Sequence, residues 1–114
     1  MHELGTVYYV IKQVEALCVE NKLSTVGSVT LEVGEVSGIV PKYVRDCWNW
    51  AIRDTKYLKD AELIIELLPA VTICEDCGKT YPTVKYAKIC PHCGSERTYL
   101  LSGNEYNIKE IEAM

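Results

Sequence analysis

Between residues 4 and 21, Leu4, Val7, Tyr8, Ile11, Val14, Leu17 and Cys18 recur at three- and four-residue steps. Lys12, Gln13, Glu15 and Glu20 fall outside that stripe, and the spacing predicts an amphipathic helix. Residues 28–33 then alternate, with Val29, Leu31 and Val33 on one face and Ser28, Thr30 and Glu32 on the other. A period of two predicts a half-buried strand, ended by Gly34. Pro41 suits a first helical position, and Val44, Cys47, Trp48, Ala51 and Thr55 continue at helical steps. The short, branched run 61–68 is stopped by Pro69 and predicts a buried strand. In the last segment, Asn104 to Glu112, Tyr106 and Ile108 share a face; Ile111 breaks the alternation, so a bulge is expected there.

These elements predict an α+β fold: two helices packed on a three-stranded sheet, with a small module inserted before the closing strand. Residues 1–69 plus 104–114 form the main domain in this reading, and residues 70–103 form the module. The chain leaves the main domain at Pro69–Ala70 and returns near Ser102–Gly103.

Length and composition narrow the function. At 114 residues the chain has room for one compact domain and a small appendage, and 48% hydrophobic with 25% charged residues is a globular balance. No apolar run approaches the roughly 18 residues of a membrane span. Glu3, Lys12, Glu15 and Glu20 spoil any secretory signal, so a soluble cytoplasmic protein is expected, away from membranes. The net charge is −4. In the module, Lys79, Lys85, Lys88 and Arg97 face Glu75, Asp76 and Glu96; neither it nor the acidic remainder offers the concentrated positive charge that phosphate binding needs. Nucleic acid is not an expected partner.

Four of the six cysteines lie within residues 74–93, as Cys74-Glu75-Asp76-Cys77-Gly78 and Cys90-Pro91-His92-Cys93-Gly94. Two cysteines separated by two residues can aim both sulfurs at one ion from a single tight turn. A following glycine tolerates the left-handed backbone this demands, and the turn's N–H groups can face the thiolates. Two such knuckles make a tetrahedral four-thiolate cage. Iron also suits four thiolates, but the short loop resembles a zinc ribbon and favours zinc. A filled shell leaves no position for water or substrate, so the ion is structural and no enzyme activity is expected there. A hydrolase or deaminase would need an H-x-E or H-E-x-x-H pattern, and neither occurs. His92 is expected to face solvent, Glu35 to be a solvated loop acid, and Cys18 and Cys47 to be ordinary helix thiols. Trp48 fits the core and leaves Trp50 partly exposed. A zinc-ribbon adaptor that binds protein or nucleic acid is the competing functional reading.

The chain begins Met1-His2-Glu3-Leu4. A free α-amine, the amide nitrogen of His2 and its imidazole can chelate one ion in adjoining rings, and the amide of Glu3 can complete a square of four nitrogens. Nickel(II) or copper(II) prefers that arrangement. The bulk of His2 is also expected to spare Met1 from removal.

This start, the paired cysteine module and the ending Gly103-Asn-Glu-Tyr-Asn-Ile-Lys-Glu-Ile-Glu112 resemble the HypA family of hydrogenase nickel-incorporation proteins. The stretch from Val33 to Gly38, leading into Pro41, is also similar to the family. The resemblance implies a nickel metallochaperone with Ni(2+) at Met1, His2 and Glu3 in the main domain. It places Zn(2+) separately, at Cys74, Cys77, Cys90 and Cys93 in the module. It further implies work with the nickel-handling GTPase HypB and delivery to the [NiFe]-hydrogenase large-subunit precursor, and in some members to urease. A homodimer formed by exchanging the inserted module is compatible with the layout.

Overall fold

The computed structural model describes residues 3–114, with side chains from Leu4 onward. In chain order the elements are α1 (Glu3–Glu20), β1 (Val26–Gly34), α2 (Pro41–Ala51, continued by one 3-10 turn, Ile52–Asp54), β2 (Glu62–Leu68), β3 (Val71–Cys74), β4 (Thr80–Pro82), α3 (Thr83–Tyr86), β5 (Thr98–Ser102) and β6 (Tyr106–Ala113). One three-stranded sheet has the order β2-β1-β6, the other β4-β3-β5. The expected α+β class is therefore present, with the cysteine-bearing stretch building a small sheet of its own.

The residues fall into two compact units. The first comprises the chain up to Glu32, Ile39–Glu66 and Asn107–Met114; the second comprises Val33–Gly38 and Leu67–Tyr106.

The core of the first unit takes Val7, Val10, Ile11, Val14 and Cys18 from α1, Val44 and Trp48 from α2, and Val29, Leu31 and Leu63 from the strands. This corrects the stripe expected for α1. Val10 joins the buried face, while Leu4, Tyr8 and Leu17 sit at its margin, each about 40% exposed. Trp48 is fully buried, and its indole N–H donates to the Ala61 carbonyl at 3.1 Å, tying α2 to the start of β2. Arg45 donates to the Leu63 carbonyl at 2.6 Å from the same helix.

β1 is buried on both faces, not one, because Ser28 and Thr30 are also covered. The reason lies in strand order. β1 is central, and Lys109 of β6 reaches Glu66 of β2 at 2.8 Å, so long side chains from the two flanking strands meet over the small residues between them. In β6, burial alternates until Lys109 and Glu110, both exposed, and resumes in the opposite phase at Ile111.

In the second unit β3 pairs antiparallel with both β4 and β5, with a register shift opposite Val71 and Thr72. The sheet carries Cys74 at the end of β3, and Cys74, Tyr81 and Cys90 form a buried cluster.

Candidate metal centre

The two knuckles repeat one hydrogen-bond pattern. Cys74 accepts from the Gly78 N–H at 2.9 Å and donates its own N–H to Lys79 at 3.0 Å. Cys90 accepts from the Gly94 N–H at 2.8 Å and donates to Ser95 at 3.0 Å. Each turn closes through a glycine of positive φ, +73° at Gly78 and +77° at Gly94, where a side chain would be strained. The tight turn brings both sulfurs of a pair to one side, as the spacing predicts.

The four sulfurs lie within 4.8 Å of one another. Cys74 Sγ is 3.5 Å from Cys93 Sγ, and Cys77 Sγ is 3.7 Å from Cys90 Sγ. Tetrahedral zinc with Zn–S near 2.3 Å has S···S edges of about 3.8 Å, so the cage fits such an ion. Cys74 and Cys90 are buried on the inner side, and Cys77 and Cys93 are exposed.

Backbone donors tune the thiols. The His92 N–H points at Cys90 Sγ from 3.4 Å. A backbone hydrogen bond from Cys77 draws the Cys74 thiol down to about 7, further helped by the thiol of Cys93. Cys93 receives the Ser95 N–H, yet the neighbouring Cys74 thiol, helped by partial desolvation and by the Cys90 and Cys77 thiols, pushes it up to about 12. Crowded thiols do not all ionise together, and a bound cation is what reconciles four thiolates in one cage.

A second network joins the knuckles outside the cage. The Asp76 carboxylate accepts from the Ser95 hydroxyl and from Arg97 Nη1 at 2.8 Å, while Arg97 also reaches Glu75 at 3.4 Å. Asp76 and Arg97 enter a sequence reading only as charges. No periodicity pairs positions 21 apart, so this clamp is visible only in the fold.

Other candidate residues are placed plainly. His92 is exposed and does not belong to the sulfur cluster, and neither does Cys18 or Cys47. Glu35 is exposed but not merely solvated: its Oε1 accepts the Ala70 N–H at 2.9 Å. Met1, His2 and the side chain of Glu3, expected to hold nickel, lie outside the described residues.

A sequence model described as "Hydrogenase/urease nickel incorporation, metallochaperone, hypA" matches residues 1–113. The chain belongs to the HypA family. A hydrogenase maturation factor HypA of Geobacter metallireducens is 37% identical over 112 residues, covering 98% of each chain. One from Dehalococcoides mccartyi is 33% identical, covering 98% of this chain and 93% of the other. In fold the chain is similar to the solution structure of the Ni metallochaperone HypA from Helicobacter pylori, with a TM-score of 0.74 at 23% identity over 100% and 98% of the two chains. The HypA family is one of nickel-incorporation metallochaperones for hydrogenase, and this chain combines membership with a four-cysteine metal-binding cluster. None of its described helices is long and apolar enough to cross a membrane.

Proposed function

We propose that this chain binds Ni(2+) as cargo at its N-terminus and carries it for [NiFe]-hydrogenase maturation, without catalysing a reaction itself. The donors are the Met1 amine, the His2 amide and imidazole, and the Glu3 amide. A separate Zn(2+) at Cys74, Cys77, Cys90 and Cys93 shapes the second unit and takes no part in transfer. The observation that carries this reading is a family match that runs from residue 1 through the cysteine module. Delivery runs in the cytoplasm, through the GTPase HypB, to the hydrogenase large-subunit precursor.

The chemistry of the two donor sets supports the division of labour. Four thiolates around zinc leave no open coordination position and hold their ion by folding around it. A chelate of terminal nitrogens forms only when protons leave, so protonation or a partner's ligands can open it. Retention and release then belong to different ions at different places.

Calorimetric titration of nickel into the zinc-loaded protein tests the assignment. The native start is expected to take up nickel, and His2→Ala to lose at least about tenfold in affinity, in keeping with loss of a ligand. An extension ahead of Met1 is expected to weaken binding likewise, because it removes the free amine. Lowering the pH through the imidazole range, near 6.5, weakens nickel first, since protonated His2 is no donor. Zinc content stays constant throughout. Equal nickel affinity in all three proteins would overturn the terminal site.

A further inference from the structure

The seam between α1 and α2 carries a surface that neither metal site uses. Trp50 is 55% exposed, although Trp48 two residues earlier is fully buried. Two cavities flank the Trp50 indole. One, of about 280 Å³, is lined by Leu4, Asp46 and Cys47; the other, of about 310 Å³, has Tyr8, Lys12, Glu15 and Asp54 among its walls. Trp50 lines both, and the smaller one reaches Leu4, two residues along the chain from His2.

The charges lining these cavities are unbalanced. Asp46, Glu15 and Asp54 stand against Lys12 alone. Among the described residues the ion pairs are Arg97 with Glu75 and Asp76, and Lys109 with Glu66; Glu15, Asp46 and Asp54 take part in none of them. An exposed indole face attracts a cation, and a guanidinium stacks on it better than an ammonium while pairing side-on with a carboxylate. The apolar walls at Leu4 and Tyr8 suit an aliphatic neighbour of that cation.

We propose that the α1–α2 seam docks a partner-protein segment presenting an arginine beside aliphatic residues, with the guanidinium stacked on Trp50 and paired with Asp54 or Glu15. The proposal deepens the delivery reading and rests on it for its purpose: a partner seated here meets the chain next to the nickel-binding start.

The test uses the full chain and three blocked peptides, acetyl-Leu-Arg-Leu-amide and its lysine and glutamate counterparts, followed by the Trp50 indole signal in two-dimensional NMR. The arginine peptide is expected to shift Trp50, Tyr8 and Asp54 and to leave the Trp48 indole still. The lysine peptide should bind about threefold more weakly, the difference a stacked guanidinium supplies, and the glutamate peptide should not bind. Trp50→Ala and the pair Glu15→Gln/Asp54→Asn should each abolish most of the shift while nickel uptake stays at its wild-type value. Equal response to the lysine or glutamate peptide, or undiminished shifts at Tyr8 and Asp54 in Trp50→Ala, would overturn the proposal. If instead wild-type protein failed to bind nickel, the delivery reading would fall while the peptide result stood.

Discussion

Individual residues of the second unit are constrained by contacts that leave no trace in local sequence. A Cβ built at Gly34 would lie 2.0 Å from the Gly103 carbonyl oxygen, and one at Gly103 would lie 2.4 Å from Ala70 Cα. Three stretches of chain thus cross at backbone contact distance. Hydrogen bonds hold the crossing: Glu35 N–H to Leu68 O at 2.8 Å, Val36 N–H to Gly103 O at 2.7 Å, and Gly103 N–H to the Glu105 carboxylate at 2.8 Å. The Glu35 carboxylate adds its bond to Ala70, so this acid serves the crossing, which a reading of it as a loop residue misses. Because the obstructing atoms are backbone, they have no rotamer to yield, and Gly103 also sits at φ +118°. Gly34→Ala and Gly103→Ala are each expected to destabilise by about 3 kcal/mol or more, the upper range of overpacking. Urea denaturation measures this; a loss under about 1 kcal/mol would mean the three stretches can part cheaply.

At the scale of elements, hydrophobic period was a good guide and its limits have physical causes. The two long helices, the strands of the larger sheet and the phase break in β6 all follow from spacing along the chain, but β2, expected to be buried, buries only Leu63 of its seven residues. What failed was the exposure of faces. The outer residues of β1 are polar, so a single strand reads as half-buried, yet its central place lets Lys109 and Glu66 close over it. Strand order is a property of three segments and is absent from any one. The face of α1 was off by part of a turn because Leu4 and Tyr8 are apolar but line cavities against α2, and Leu17 lines one beside Ile108 of β6, instead of the core. The knuckles were legible because a metal site needs its ligands at fixed short spacing. The end of α1 offers a test. Leu23 N–H bonds to Cys18 O at 2.9 Å over Lys22, which adopts φ +55°. A helix ending with this bond pattern ordinarily places glycine at that position. Lys22→Gly is expected to raise stability by roughly 0.5 to 1 kcal/mol, the left-handed strain of lysine less the greater chain entropy of glycine. An unchanged or lower melting temperature would count against the strained cap.

Over the whole molecule, the two units differ in what holds them. The first has a conventional interior of aliphatic side chains around Trp48, and both long helices belong to it. Within the second, the buried cluster consists of Tyr81 and two of the four metal-site cysteines, with the other two at the surface. An interior that small cannot offset the conformational entropy of ordering its chain, so the Zn(2+) proposed above would have to supply the difference. Removing zinc with a strong chelator is therefore expected to collapse the amide signals of residues 74–98 while the Trp48 indole signal and helical circular dichroism persist. Acid acts in the same direction. Four-thiolate binding displaces the thiol protons, and the neighbouring Cys74 thiol pushes Cys93 upward, so each fall in pH adds proton competition against the proposed Zn(2+). Zinc release followed against pH should coincide with loss of the 74–98 signals and precede loss of helix. Helix lost in step with zinc would show that the first unit depends on the ion as well. Persistence of the 74–98 signals after complete chelation would show that Tyr81 and the Asp76–Arg97 clamp suffice without it.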